Sequence, residues 1–150
     1  ETRSVMKELH PTTLERYGLS KIIKEELSRL KEETGCEVKF TLGRTYHRIP
    51  TVEKTFYRVF HEAMLNIRKY ARASRVSVSL KAVADQLELT VSDNGIGFEP
   101  EKLADEPGGL VCMRRRTELL GGAFDIKSSP GKGTVIISRL PVKKLISELP

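Results

Sequence analysis

Apolar residues recur every three or four positions in three stretches of this chain, a spacing that predicts amphipathic helices. The first stretch spans residues 19–34, and Gly35 follows it where helices commonly end. A longer helix is predicted over residues 52–73, and a shorter one over residues 110–120, between two pairs of glycines. The apolar stripe of the long helix comprises Phe56, Phe60, Ala63, Ile67 and Ala71.

Alternation of apolar and polar residues predicts β-strands in the rest of the chain. Residues 36–42 form the first strand, which is expected to bury one face. Two hairpins follow, residues 76–80 with 87–91 and residues 124–128 with 134–140. The order helix, strand, helix, hairpin, helix, hairpin predicts an α+β fold. We expect a two-layer α/β sandwich, with helices on one face of a mainly antiparallel sheet.

The composition is that of an ordinary globular protein. The chain has 150 residues, 39% hydrophobic and 31% charged, which fits one domain. No run approaches the roughly 18 apolar residues that span a bilayer. Because the chain does not begin with Met, we expect it to be part of a longer protein. Cys36 and Cys112 lie in apolar-periodic stretches and are predicted to be buried free thiols in a reducing compartment.

Positive charge is concentrated in one part of the chain. The formal net charge is +6, and residues 38–81 hold 10 Lys and Arg against 2 Asp and Glu, a net +8. A basic surface attracts phosphates, on nucleic acid, on anionic lipid or on a nucleotide. Composition by itself does not choose among these partners.

The long predicted helix carries a narrow polar stripe beside its apolar one. Glu62, Asn66 and Lys69 are spaced i, i+4 and i+7, so they share one side of an α-helix. A carboxylate and an amide suit Mg²⁺ and its waters, and an ammonium suits a phosphate. The alternative is a solvated face with a charge pair.

Asp93 continues the phase of the preceding apolar strand positions, so its carboxylate is expected to aim at the core layer. A buried carboxylate is costly unless a group donates to it, and a ligand amine can be that donor. The alternative is an Asx-type turn at the Asp-Asn-Gly sequence. Gly95 and Gly97 allow positive φ and close approach of a ligand.

Two further glycine-rich segments are candidate anion or ligand contacts. Gly108, Gly109 and Leu110 open the third helix, where backbone N–H groups bind anions; the alternative is a flexible loop that ends in a cap. Thr134 follows Gly-Lys-Gly at the start of a strand and can offer its hydroxyl to a ligand, or can simply end a hairpin turn. The segment is not a Walker loop, since no helix follows it.

These segments together resemble a known family. The runs FHEAMLNIRKYA, DNGIGF, GGLVCMRRRTELLGG and GKGT occur in the order typical of the ATP-binding domain of bacterial sensor histidine kinases. The preceding LHPTTLERYGLSKII narrows the resemblance to the DesK/NarX-like group. The resemblance covers about residues 9–140.

The resemblance implies the Bergerat fold, with ATP and Mg²⁺ bound between sheet and helices. It implies that Glu62 and Lys69 are catalytic, and that Asn66 and Glu62 hold the metal. Asp93 would accept from the adenine amino group. The implied ATP-binding residues are Asn66, Lys69, Tyr70, Asp93, Gly95, Gly97, Gly108, Gly109, Leu110 and Thr134. Tyr70 departs from the His that the family often has there, and it would cover the nucleotide or pack in the core.

The resemblance also implies a domain division and partners. Residues 1–18 would be the end of a dimerisation and phosphotransfer region or a linker, and residues 19–150 the catalytic domain. Because Pro11 disfavours helix at His10, the phospho-accepting His is expected outside this chain.

The expected partners are the dimerisation and His-phosphotransfer domain of the same protein and a response regulator receiver domain, with no nucleic acid. The full-length protein is expected to be a homodimer, cytoplasmic or membrane-anchored, with this domain in the cytoplasm. Alternatives are another Bergerat-fold ATPase, an anti-sigma-factor serine kinase or, less favoured, a basic nucleic-acid-binding module.

Overall fold

The computed structural model describes residues 11–99 and 109–142, except for the side chains of Pro11, Tyr70 and Ala71. Four α-helices occur in these ranges: α1 Pro11–Tyr17, α2 Leu19–Thr34, α3 Pro50–Asn66 and α4 Gly109–Leu119. A π-helical turn, Ile67–Ala71, follows α3 directly. No helix in the described ranges is both long enough and apolar enough to cross a bilayer.

One mixed sheet of five strands forms the second layer. The strands are β1 Glu37–Leu42, β2 Arg75–Val83, β3 Gln86–Asp93, β4 Ala123–Ser128 and β5 Thr134–Pro141. Their order across the sheet is β1-β2-β3-β5-β4. Only the β1–β2 pair is parallel, so both predicted hairpins and the mainly antiparallel sheet are confirmed.

The core lies between one face of this sheet and the helices. Leu87, Leu89 and Val91 are buried on that face, and the intervening residues of β3 are half-buried. Phe56 and Phe60 of α3 are fully buried against the same layer. Burial of side chains of this size stabilises the fold by about 1.5–3 kcal/mol each. The predicted two-layer arrangement is therefore confirmed.

The C-terminal end of the long helix differs from the prediction. A single α-helix was expected over residues 52–73, but α-helical geometry ends at Asn66 and the chain continues as the π turn. Arg72 then takes a left-handed φ of 51°. In a π turn the hydrogen bonds run from i to i+5, so spacing based on 3.6 residues per turn no longer applies. The 3.6-residue spacing therefore no longer supports the prediction that Lys69 lies on one stripe with Glu62 and Asn66.

Two burial predictions are wrong in part. Val38 and Phe40 are only half-buried and Leu42 is 47% exposed, because β1 is an edge strand. Cys36 is buried as predicted, but Cys112 is exposed. The buried positions of α4 are Met113 and Thr117, and Cys112 precedes Met113 on a different side of the helix.

A buried carboxylate fixes the junction between α1 and α2. Glu53 accepts hydrogen bonds from the Leu19 amide at 3.1 Å, the Tyr46 hydroxyl at 2.8 Å and Nε of Arg48 at 3.1 Å. Nη2 of Arg48 also donates to the carbonyl oxygens of Leu14, at 3.3 Å, and Glu15, at 3.0 Å. The last turn of α1 is therefore held against the start of α3.

Candidate functional site

Two side chains of α3 meet the first residue of α4. A Cβ placed on Gly109 would lie 2.7 Å from Oε2 of Glu62 and 3.7 Å from Nδ2 of Asn66. Glycine at this position leaves room for the Glu62 carboxylate where it lies, whereas a Cβ would force the end of that side chain to move and would be in ordinary contact with Asn66. The structure thus brings Glu62 and Asn66, one turn apart on α3, to Gly109, which is distant from both in the sequence.

This α3–α4 cluster has the chemistry of a magnesium and phosphate site. The Glu62 carboxylate and the Asn66 amide oxygen are hard donors, and the N-terminus of α4 favours negative charge. Within residues 11–99 and 109–142, no three His, Cys, Asp or Glu side chains form a group that could hold a metal ion. Mg²⁺ commonly takes one or two side chains and fills its remaining positions with waters and substrate phosphates, so the residues present fit that ion.

The other residues predicted for this magnesium and phosphate site differ in their exposure and in whether they are described. Lys69 is exposed on the π turn. Leu110 is half-buried and packs against the hydrophobic core from the first turn of α4. The side chain of Tyr70 and the whole of Gly108 lie outside the described residues.

A second group of predicted residues lies at one end of the sheet. Asp93 ends β3 on the face that carries Val91, and its direct partner in β5 is Thr134. Both side chains face the helix layer, where Thr134 is buried and Asp93 half-buried. Oδ1 of Asp93 accepts the Gly95 amide at 2.8 Å. The Asx turn and the inward carboxylate, posed as alternatives, are therefore both present.

The environment of Asp93 disfavours its charge. Burial raises the pKa of this carboxyl above its ordinary value of 3.8, and the hydrogen bond from Gly95 opposes that rise. Cys36 lies close enough to interact electrostatically: burial, followed by the charge of Asp93, raises the pKa of its thiol. A ligand that donated a hydrogen bond to Asp93 would stabilise the ionised form.

The loop after Asp93 packs backbone to backbone against the turn between β4 and β5. Gly97 has φ 67°, and a Cβ there would collide with the carbonyl oxygen of Ser129. Gly133 has φ 75°, and a Cβ there would collide with the carbonyl oxygen of Asp93. The Gly131 amide donates to the carbonyl oxygen of Ile96 at 2.5 Å. Glycines in both segments allow this close approach, which sets the walls around Asp93 and Thr134.

Two residues that sequence reasoning missed hold these walls in place. Oγ of Ser128 contacts the Phe98 amide, the Gly133 carbonyl oxygen and Oγ1 of Thr134, each at 2.9 Å. Asn94 accepts the amides of residues 74 and 75 at 2.9 and 2.8 Å, which ties the loop to the start of β2. The only local signal was that Asn94 lies within one predicted turn and Ser128 flanks another.

Part of the positive charge of residues 38–81 is used in ion pairs. Arg48 pairs with Glu53 at 3.1 Å. Arg68, whose side chain is 9% exposed, bridges to Glu33 at 3.1 Å and to Glu26 at 3.5 Å. The two Arg68 pairs join α2 to the π turn after α3, and the Arg48 pair joins the preceding loop to α3. The basic excess is therefore partly structural, and a smaller share remains for a phosphate-bearing ligand.

Comparison with known proteins gives a family for most of this chain. Residues 51–144 match the family model of histidine kinase-, DNA gyrase B- and HSP90-like ATPases. The chain is 32% identical over 143 residues to the signal transduction histidine-protein kinase/phosphatase DegS of Brevibacillus brevis, covering 95% of this chain and 37% of DegS. It is 32% identical over 142 residues to the sensor histidine kinase LiaS of Bacillus subtilis strain 168, covering 95% of this chain and 39% of LiaS. The chain thus spans less than two fifths of the length of either relative.

Solved structures share the fold. The histidine kinase domain of the Erythrobacter litoralis EL346 blue-light activated histidine kinase aligns with a TM-score of 0.66 at 21% identity, covering 88% of this chain and 66% of that one. Full-length ShkA in complex with AMPPNP aligns with a TM-score of 0.66 at 20% identity, covering 83% of this chain and 29% of ShkA.

Proposed function

This chain belongs to the family of histidine kinase-, DNA gyrase B- and HSP90-like ATPases, and from that membership we propose that it is the ATP-binding catalytic domain of a sensor histidine kinase. The observation that carries the proposal is the meeting of Glu62 and Asn66 at the first residue of α4. Oxygen ligands for Mg²⁺ and a helix N-terminus for a phosphate occur together there.

The base of the nucleotide would occupy the end of the sheet. Its exocyclic amine donates to Asp93, whose half-buried carboxylate gains a second donor besides the Gly95 amide. Gly95 and Gly97 shape the wall of this pocket, and Thr134 lies beside Asp93 on β5. In this proposal Tyr70 covers the nucleotide from the π turn.

The phosphates would reach the start of α4. Asn66 and Glu62 hold Mg²⁺, and the amides of the segment Gly108, Gly109 and Leu110 donate to phosphate oxygens. Mg²⁺, when bound, neutralises part of the triphosphate charge. Lys69, exposed on the π turn, adds a positive charge for the same oxygens. Phosphoryl transfer depends mainly on such positioning and charge neutralisation.

The reaction would be transfer of the γ-phosphoryl group to a histidine on a separate dimerisation domain of the same protein. The bond from the γ-phosphorus to the bridging oxygen breaks, ADP leaves, and a bond to an imidazole nitrogen forms. Glu62 orients that imidazole or accepts its proton. The phosphoryl group then passes to an aspartate of a response regulator.

The proposal extends to the rest of the protein. Residues 1–18 end the dimerisation and phosphotransfer region or form its linker, and the full-length protein is a homodimer. The domain works in the cytoplasm, where ATP and receiver domains are available.

Calorimetry with Mg·ATP tests the binding step. We expect saturable binding by this chain, and no binding at millimolar nucleotide would refute the proposal. Asn66→Ala should mainly weaken the dependence on Mg²⁺, so titrations with and without EDTA are compared.

The transfer step needs a longer protein. Adding the residues upstream of Glu1 should yield acid-labile phosphate on histidine in the presence of Mg·ATP. Acid-stable phosphate on a partner serine would instead indicate the anti-sigma-factor kinase alternative. A salt-titrated DNA-binding assay checks the nucleic-acid alternative, for which we expect no specific complex.

A further inference from the structure

Three polar side chains form a row across the end of the sheet. Strand register pairs Asp93 of β3 with Thr134 of β5, and Thr134 with Ser128 of β4. Directly paired residues of neighbouring strands point to the same face, so all three lie on the face covered by helices. Ser128 is the member that neither the motifs nor the proposed function uses.

The hydrogen bonds of Ser128 can be assigned from its chemistry. A serine hydroxyl has one proton to donate and two lone pairs that accept. The Phe98 amide donates to Oγ at 2.9 Å, and the Gly133 carbonyl oxygen, which can only accept, lies 2.9 Å from it. In the described part of the chain that carbonyl oxygen has no other hydrogen-bond donor, and Gly133 is buried. The Ser128 proton therefore belongs to Gly133, since a buried carbonyl without a donor is costly.

This assignment decides the role of Thr134. Oγ1 of Thr134 lies 2.9 Å from Oγ of Ser128. Because the only Ser128 proton is used on Gly133, the hydroxyl proton of Thr134 must point to Ser128. Thr134 then offers lone pairs, and no proton, toward Asp93, whose ionised carboxylate also only accepts.

We propose that Ser128 is a specificity-determining positioning residue. Because it accepts a hydrogen bond from the Thr134 hydroxyl, only hydrogen-bond acceptors remain at this end of the pocket. The pocket therefore selects a 6-amino purine over a 6-oxo purine. This inference rests on the proposed nucleotide function. A 6-amino group donates to both acceptors. A 6-oxo oxygen would instead face the lone pairs of Asp93 and Thr134, which repel it. It would be accepted only if Thr134 were free to turn its hydroxyl proton toward that oxygen.

The test compares ADP with IDP by calorimetry in the presence of Mg²⁺. Their bases differ at position 6 and in the proton that N1 carries only in IDP, and the N1 difference is the same for every variant of the protein. Ser128→Ala releases the Thr134 proton, so we expect the preference for ADP over IDP to fall about fivefold to tenfold, the effect of about one hydrogen bond. Ser128→Thr keeps a hydroxyl and should keep the preference. In a Thr134→Val background, Ser128→Ala should leave the ratio unchanged, because no Thr134 proton remains to be released.

A purely structural role for Ser128 predicts a different result. Loss of its contacts to Phe98 and Gly133 would weaken ADP and IDP equally and leave their ratio as in the wild type, which would overturn the inference. If Ser128→Ala unfolds below the assay temperature, Ser128→Cys is used, since a thiol fills similar space but is a weaker hydrogen-bond partner. An unchanged ratio of ADP to IDP affinity in Ser128→Cys also counts against the proposed role of Ser128. If the wild-type chain bound neither nucleotide, the proposed function itself would fail.

Discussion

The carboxylate of Glu62 lies against the first residue of α4, so that a Cβ on Gly109 would be 2.7 Å from its Oε2. The atom that would have to move is the end of a flexible side chain. Gly109→Ala should therefore displace Glu62 with little effect on the fold. We expect the free energy of unfolding to change by less than about 1 kcal/mol. Affinity for Mg·ATP should fall about tenfold or more, the effect of one or two charge-assisted contacts.

Calorimetry and urea unfolding of the same Gly109→Ala sample check both parts. Arg116→Ala, an exposed change in the last turn of α4, is the matched control and should leave affinity and stability as they are. A Gly109→Ala variant that binds Mg·ATP normally would mean that the displaced carboxylate takes no part in binding.

Asp93→Asn should separate binding from stability. Asparagine keeps an oxygen for the Gly95 amide but removes a charge that burial disfavours. At pH 7 the Tm of the nucleotide-free variant should equal or exceed that of the wild type, while adenine nucleotide affinity falls by an order of magnitude or more. A variant with normal affinity would contradict the assignment of Asp93 to the base.

The pH dependence of stability follows from the same carboxyl. Its folded-state pKa is raised, so the ionised form costs stability at neutral pH, and that cost disappears as the pH falls below the raised pKa. Wild-type Tm should therefore rise relative to that of Asp93→Asn between pH 7 and about pH 4. The difference between the two melting curves is the measured quantity, because other carboxylates affect both proteins alike.

Glu53 should be the most costly polar residue to remove in the α1–α2 junction. Glu53→Ala leaves the Leu19 amide, the Tyr46 hydroxyl and Nε of Arg48 without their acceptor. We expect a loss of about 2–4 kcal/mol in urea unfolding. Glu53→Gln retains an acceptor and should lose less, and the exposed neighbour change Lys54→Ala should lose less than about 0.5 kcal/mol. Equal losses for Ala and Gln would show that the hydrogen bonds contribute little.

The two thiols should differ in reactivity. Cys112 is exposed, whereas Cys36 is buried with a raised thiol pKa, which lowers its thiolate fraction. A thiol reagent such as DTNB should modify one cysteine rapidly in the native chain and both after denaturation. Cys112→Ser should abolish the rapid phase. A rapid phase that survives this substitution would contradict the placement of Cys36 in the core.

Local periodicity predicted the elements that depend on short-range spacing. Helix α2 begins at Leu19 and ends before Gly35, and the two hairpins pair as expected. Periodicity failed at two places. The π turn after Asn66 breaks the 3.6-residue spacing, and the side of α4 that packs inward excludes Cys112.

The sequence by itself determined the order of elements, the two-layer class and the residue types that suit a nucleotide and Mg²⁺. These depend on neighbours within a few residues, where backbone geometry is repetitive. Only the tertiary structure decided that Glu62 meets Gly109, that Ser128 contacts Thr134 and that Glu53 fixes the start of α2 against α3. Each of these joins segments distant along the chain, and their approach is set by packing of the whole core, which no local pattern encodes.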